Sequence, residues 1–479
     1  MNRVTALVAD GSPLALEAGV FLLSLLALVI GTVRRGDPRR LIGGVVFVGL
    51  ALLFGASFAI HPGEVLFDGV YRTDELALFA KRLFLGASAL TVLASLALEP
   101  VTFSRRAAEY HFALLVSLLG MLVLASAREL ILLFVAFELM SIPLYFLTGF
   151  LKREPTAAEA ALKFLLVGTL SSAIILYGIS FVYGVTGSTD IASVAPALRL
   201  GQPLLGLGLA LTLAGLGFKI AAVPFHMWVP DAYEAATTPF VAWLSVAPKA
   251  AGFVVIFRLY LEGVGPAALL WLPGIAALAA LTIGAGNLMA LPQRNIKRLF
   301  AYSGIAHIGY ILMGVAAFSR GGTGMVLFYL VAYLFGNMGA FFVIQAVGAA
   351  ERSDSIEVYR GLAQRSPVLG LSMLLFLLSL GGIPFLAGFW AKLYVFWAAV
   401  DKGMYWLAFL GALLTVLALY YYLLVARRMY IDPPQRPDPV RVPGTLKLAI
   451  GICVAGVVAM GAYPEPWVRE ALRIAGTLF

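Results

Sequence analysis

Apolar residues run along this chain in blocks of about twenty, separated by short polar stretches, from near residue 14 to near residue 464. A helix needs about 20 apolar residues to cross the hydrocarbon core of a bilayer, and it satisfies its own backbone hydrogen bonds there. The blocks predict about fourteen spans: 14–33, 41–60, 78–98, 110–126, 129–150, 158–184, 203–229, 238–261, 267–290, 298–317, 323–349, 367–398, 404–428 and 445–463. Two of them, 203–229 and 367–398, carry comparable motifs, GFKIAAVPF around Pro224 and GGIPFLAG around Pro384. Proline removes a backbone donor and crowds the preceding turn, so both helices are expected to break near mid-membrane. The fold class is an all-α polytopic membrane protein.

The two proline breaks fall on the fourth helix of two successive five-helix groups. An odd number of helices per group turns the second upside down relative to the first, an inverted repeat. The expected division is an amino-terminal three-helix segment, 1–109, a first five-helix unit, 110–262, its inverted counterpart, 263–430, and a last helix with a tail, 431–479. The first apolar block is long enough to span, and it enters a basic stretch (Arg34, Arg35, Arg39 and Arg40), so it reads as a retained helix and not a cleaved signal peptide.

Composition agrees with the pattern: of 479 residues, 61% are hydrophobic and only 12% charged, with a mean hydropathy of +0.95. Charge orients the spans, because cytoplasmic loops collect lysine and arginine. Of 34 such residues, nineteen fall in one set of alternating loops. Eleven, among them Arg72, Lys81, Arg128 and Arg258, fall on the other side together with both termini, which are therefore expected to face away from the cytoplasm. The net charge of +9 is mostly a topology signal and calls for no nucleic acid. One cytoplasmic loop, VPDAYEAATTP, departs from the rule, carrying Asp231 and Glu234 and no base. It reads either as a solvated cap on the next helix or as an acidic mouth that collects protons.

Five charges remain inside the spans: Glu138, Lys163, Lys219, Lys249 and Lys392. Each costs about 3 kcal/mol or more at the bilayer centre, and such residues mark ion or proton paths. A lone buried lysine gives up its charge and a nearby carboxylate restores it, so a Glu138–Lys219 ion pair is expected to set a proton affinity. Lys249 is placed to relay towards the second unit and Lys392 to act as its terminal carrier. His307, with Tyr302, Ser303, Tyr310 and Tyr333, lies between them and reads equally as a relay or as a satisfied core histidine. Lys163 has Glu159 one turn earlier, and a local pair competes with a relay role there. The single cysteine, Cys453, excludes an iron–sulfur cluster held by this chain and an internal disulfide. The four histidines show no metal-ligand spacing, and no phosphate-cradling glycine motif appears.

At these residues the chain resembles the antiporter-like membrane subunits of respiratory complex I, the NADH–quinone oxidoreductase of bacteria. FELMSIPLYFLTGF resembles that family's glutamate-bearing fifth helix. GFKIAAVPFHMWVPDAYEAATTPFVAWLSVAPKAAGF resembles its broken seventh helix, the following loop and its lysine-bearing eighth. NIKRLFAYSGIAHIGYILMG is similar to the tenth helix and GGIPFLAGFWAKLYVF to the broken twelfth. PFHMW and SVAPKAAGF, the lysine at 392 and the short tail after the last span point to the N type and away from the M and L types. The resemblance implies Glu138 and Lys219 as the ion pair, Lys249 as central relay and Lys392 as terminal carrier. It also implies other membrane subunits as partners, a bacterial inner (plasma) membrane location, and flavin, iron–sulfur clusters and quinone handled by partner subunits, with no cofactor in this chain. The competing reading is a subunit of a cation/proton antiporter complex that works without redox chemistry.

Overall fold

A computed structural model describes residues 13–34, 37–98, 106–152, 154–198 and 203–479. Arg3, Arg35, Arg105, Arg153 and Arg199, which enter the charge count above, lie outside the described residues.

The described chain is helical almost throughout, and thirteen of its helical segments are long and apolar enough to cross a membrane. In chain order the helices are α1 (Ala15–Val33), α2 (Arg39–Ala56), α3 (Glu75–Ser95), α4 (Ala107–Ser126), α5 (Leu130–Thr148), α6 (Pro155–Thr186) and α7 (Pro203–Ile220). There follow α8 (Trp228–Ala235), α9 (Thr238–Leu244), α10 (Ala247–Ile256), α11 (Ala268–Ala290), α12 (Ile296–Ala316) and α13 (Arg320–Glu351). The last are α14 (Pro367–Gly381), α15 (Ala387–Asp401), α16 (Tyr405–Tyr430), α17 (Gly444–Ala462) and α18 (Glu465–Ala475). The only strands among the described residues form a small antiparallel hairpin, Glu64–Leu66 with Tyr71–Thr73, in the loop before α3.

Many large apolar side chains face outward, for example Leu22 and Val29 on α1, Leu166 and Leu170 on α6, and Phe409 and Val416 on α16. Rows of this kind are rare on a surface facing water and are what a lipid-facing helix presents. The chain is a multi-pass membrane protein.

Packing gathers the helices into two compact groups. One holds the described residues up to Lys219 together with Ala247–Ala267, the other Ile220–Val246 and Ala268–Phe479. In the first group, α6 and α7 approach closely through glycine. A Cβ on Gly178 would sit 2.6 Å from the Gly208 carbonyl oxygen, and one on Gly208 would sit 2.8 Å from that of Gly178. Small residues of this sort let two membrane helices touch backbone to backbone.

Both helices expected to break are interrupted. The first stops at Ile220, with Ala221 in the left-handed region at φ +65°, and helix resumes only at Trp228, so Pro224 lies in the gap. The freed Val223 amide donates to the Thr282 hydroxyl at 3.0 Å. The second stops at Gly381, turns through Gly382 at φ +86° and Phe385 at +68°, and resumes at Ala387, with Pro384 in the gap. Gly382 has the conformational freedom that this turn demands, and a side chain there would also meet Lys392 Cδ at 3.1 Å.

Candidate functional site

In the first group, Glu138 projects from the middle of α5 and Lys219 from the last turn of α7. The lysine is 6% exposed, and its Nζ lies 3.5 Å from Glu138 Oε1. That is longer than a direct charge-assisted hydrogen bond of about 2.7–2.9 Å. Ser172 bridges the difference, and Ser141 gives the lysine a second partner. Lys219 donates to Ser141 Oγ at 2.8 Å and to Ser172 Oγ at 3.3 Å, and Ser172 in turn donates to the Glu138 carboxylate. The rings of Phe137 and Phe218 lie 5.8 and 6.0 Å from the ammonium. The expected pair is therefore a serine-bridged one, with the carboxylate side chain 26% exposed and the ammonium nearly enclosed.

Neither serine stood out among the expected site residues. Ser141 carries a legible signal, lying three residues after Glu138 and so on the same helical face. Ser172 is on α6, and nothing local marks it.

Lys249, also in the first group, sits in the opening turn of α10 and is buried. Lys163 does not join this cluster. It pairs with Glu159 on its own helix at 2.8 Å, with both side chains at least half exposed.

In the second group, Lys392 on α15 is buried, and its ammonium lies 3.4 Å from the Gly381 carbonyl and 4.9 Å from the centre of the Tyr310 ring. Gly381 is the last residue of α14, where carbonyls lose their helical partners and the negative end of the helix dipole is concentrated. The break thus supplies an electronegative seat for the lysine.

Tyr310 also receives hydrogen bonds from Thr415 (3.1 Å) and Asn287 (3.4 Å), and Asn287 accepts one from Tyr421 (3.1 Å). His307 lies beside this network, its Nδ1 2.7 Å from Tyr329 Oη and its Nε2 3.3 Å from Tyr422 Oη. Tyr422 is bonded to Ser303. The rings of Tyr310 and Tyr333 pack against the histidine, while Asn287, Tyr329, Thr415, Tyr421 and Tyr422 were not foreseen. Asp231 and Glu234 are both ion-paired to Arg298, at 2.9 and 2.8 Å. Two carboxylates on one guanidinium leave this loop with a net negative charge.

Two residues counted with the loop charges are fully buried: Lys81 on α3 and Arg258 on the π-helical turn Phe257–Gly263 that continues α10. Among the described residues no group of three His, Cys, Asp or Glu side chains could hold a metal ion.

Residues 127–418 match the sequence profile described as NADH:quinone oxidoreductase/Mrp antiporter, transmembrane. The chain is 42% identical over 461 residues to the NADH-quinone oxidoreductase subunit N of Moorella thermoacetica, covering 95% of this chain and 96% of that one. Its fold superposes on a chain of respiratory complex I from Thermus thermophilus with a TM-score of 0.82 at 33% identity, covering 95% of this chain and 98% of that chain. A chain of the Mrp complex from Dietzia sp. DQ12-45-1b has the same fold, with a TM-score of 0.87 at 22% identity and 97% of each chain covered.

Proposed function

The chain belongs to the family of NADH:quinone oxidoreductase and Mrp antiporter transmembrane subunits, and on that premise we propose that it is the N-type proton-translocating subunit of a bacterial NADH–quinone oxidoreductase. In this reading quinone reduction in partner subunits drives protons through this one. The observation that carries it is Lys219, buried on a helix that ends one residue later and joined to Glu138 through the Ser172 hydroxyl. A change in the α7 break moves the ammonium relative to the carboxylate and so resets which of them holds a proton. Lys249 acts as the central relay and Lys392 as the terminal carrier. The Tyr310–Asn287–Tyr421 and His307–Tyr422–Ser303 hydrogen bonds supply groups through which protons or water can be ordered. Lys163, tied to Glu159, serves as a peripheral part of the relay.

The 1–109, 110–262, 263–430 and 431–479 division, with its inverted repeat, belongs to the same proposal. It is supported by the matching interruptions at Pro224 and Pro384. So do the bacterial inner membrane location and the two termini on the non-cytoplasmic side, supported by the loop charges. Flavin, iron–sulfur clusters and quinone are assigned to partner subunits.

The alternative, a subunit of a redox-free cation/proton antiporter complex, draws on the fold shared with the Mrp chain. Co-purification of a tagged chain separates the two. Partner subunits carrying flavin and iron are expected, and a flavin-free set of hydrophobic partners would overturn the assignment to NADH–quinone oxidoreductase.

Glu138 gives a second test. Glu138→Ala leaves a buried ammonium with hydroxyl partners only. Breaking a fully buried pair costs about 3–5 kcal/mol, and the partial exposure of this carboxylate places the cost below that limit. A loss on the order of tenfold in NADH-driven proton uptake is expected, with Glu138→Asp retaining much of the rate. Equal rates for the Ala and Asp variants would reduce Glu138 to a packing role.

A further inference from the structure

Another buried lysine–carboxylate pair lies in the three amino-terminal helices, apart from the Glu138–Lys219 pair. Lys81 on α3 is 0% exposed, and its Nζ lies 2.9 Å from Glu17 Oε1 on α1. Tyr71, at the start of the second hairpin strand, closes the triangle. Its hydroxyl accepts from Lys81 at 2.8 Å and donates to Glu17 Oε1 at 2.7 Å. The other carboxylate oxygen, Glu17 Oε2, is buried and has no hydrogen-bond partner among the described residues. Burial and the charge of Glu17 both push the Tyr71 hydroxyl well above its usual range, so it remains protonated and can pass a proton only by exchanging one.

This triangle is fastened to the helix that carries Lys249. α3 packs against α10, and Asp74, the residue that caps α3, holds the fully buried Arg258 with two bonds of 2.6 Å each. Arg258 is bonded further to Glu262 (2.8 Å) and to the Ala125 carbonyl (2.9 Å), and Glu262 to Arg128. Burial alone would raise the Asp74 carboxyl, but the Arg258 guanidinium more than offsets this and holds it below the usual carboxylate range, so the tie stays charged. The tie joins the start of α3 to the end of the α10 segment, so the two helices run antiparallel. At 1.5 Å per residue, Lys81 lies about 10 Å along α3 from Asp74, and Lys249 about 13 Å back from Arg258. The two lysines therefore sit at similar depth on packed helices.

We propose that Glu17, Tyr71 and Lys81 form a further proton-holding site, an exchange station between the relay at Lys249 and the water at the membrane face where α1 and α3 begin. This rests on the relay reading above. In the step itself, Lys81 Nζ gives a proton to Tyr71 Oη while the tyrosine's own proton passes to Glu17 Oε1. An ammonium and a carboxylate become an amine and a carboxylic acid, with no net change in charge. Loss of the carboxyl proton to water and uptake of a proton at Lys81 restore the starting state. The fixed charges facing the site from its neighbours, Asp74, Arg258, Glu262 and Arg128, pair with one another and leave the exchange to the triangle.

The test uses the whole complex in sealed membrane vesicles, with NADH-driven proton uptake normalised to assembled complex by flavin content. Tyr71→Phe keeps the ring and the Glu17–Lys81 contact but removes the exchanging hydroxyl. It is expected to slow uptake at least threefold and to increase the H2O/D2O rate ratio, whereas a purely structural loss lowers the amount of complex and leaves that ratio alone. Glu17→Gln combined with Lys81→Met removes both charges together, so that no single charge is stranded, and it is expected to slow uptake as much. Wild-type uptake and isotope ratio per assembled complex in either variant would overturn the proposal. Lys219→Ala run alongside separates the two ideas. If it is inactive while Tyr71→Phe is normal, only the exchange station falls. If Lys219→Ala pumps normally, the relay reading falls first.

Discussion

Lys219→Ala is expected to abolish proton uptake and to depress NADH–quinone activity to a few per cent or less in vesicles where the complex is fully assembled. The variant removes the one ammonium that Ser141, Ser172 and Glu138 all address. Moving a proton against roughly 180 mV costs about 4 kcal/mol, close to the energy of a three-unit change in proton affinity. A single buried pair that opens and closes can supply that. A chain of hydroxyls without the lysine cannot, because serine neither binds nor releases a proton in this range. In a tightly coupled machine the blocked step also holds back electron transfer. Assembly is checked first, by the flavin recovered with the membranes. A fully assembled Lys219→Ala complex that pumps at the wild-type rate would remove Lys219 from the path.

Lys392→Arg and Lys392→Glu are expected to part company. A terminal carrier must take a proton from water and give it back. Arginine keeps its proton under all ordinary conditions, so Lys392→Arg is expected to lose most of its pumping, tenfold or more. A carboxyl group can bind and release a proton, and when protonated it can donate to the Gly381 carbonyl as the lysine does at 3.4 Å. Lys392→Glu is therefore expected to keep part of its pumping. The space is tight, since a Cβ on Gly382 would lie 3.1 Å from Lys392 Cδ, so the amount of assembled complex is measured for each variant before rates are compared. An arginine variant as active as the wild type would mean that the site needs only a fixed positive charge.

Most of the helices were legible from hydropathy, because a helix in lipid satisfies its own backbone and its length is a local property of the chain. The breaks were legible because Pro224 and Pro384 each remove a backbone donor and crowd the preceding turn, although proline alone does not decide a break, since α5 runs on through Pro143. Lys219, Lys249 and Lys392 stood out because a charge in a long apolar run is costly wherever the run packs. Which groups answer those charges was not legible. Ser172 reaches Lys219 across 47 residues, Tyr71 reaches Glu17 across 54, and Asp74 reaches Arg258 across 184. Lys81 and Arg258 lie near the ends of their apolar blocks, where a charge normally reaches water, and only the packing of other helices over those ends encloses them. The acidic loop shows the same limit, because one of its two negative charges is offset by Arg298, which the chain brings to it from 64 residues beyond Glu234. Span and break are set by each segment's own solvation and sterics, whereas partner, burial and net charge at a site depend on which segments the fold brings side by side.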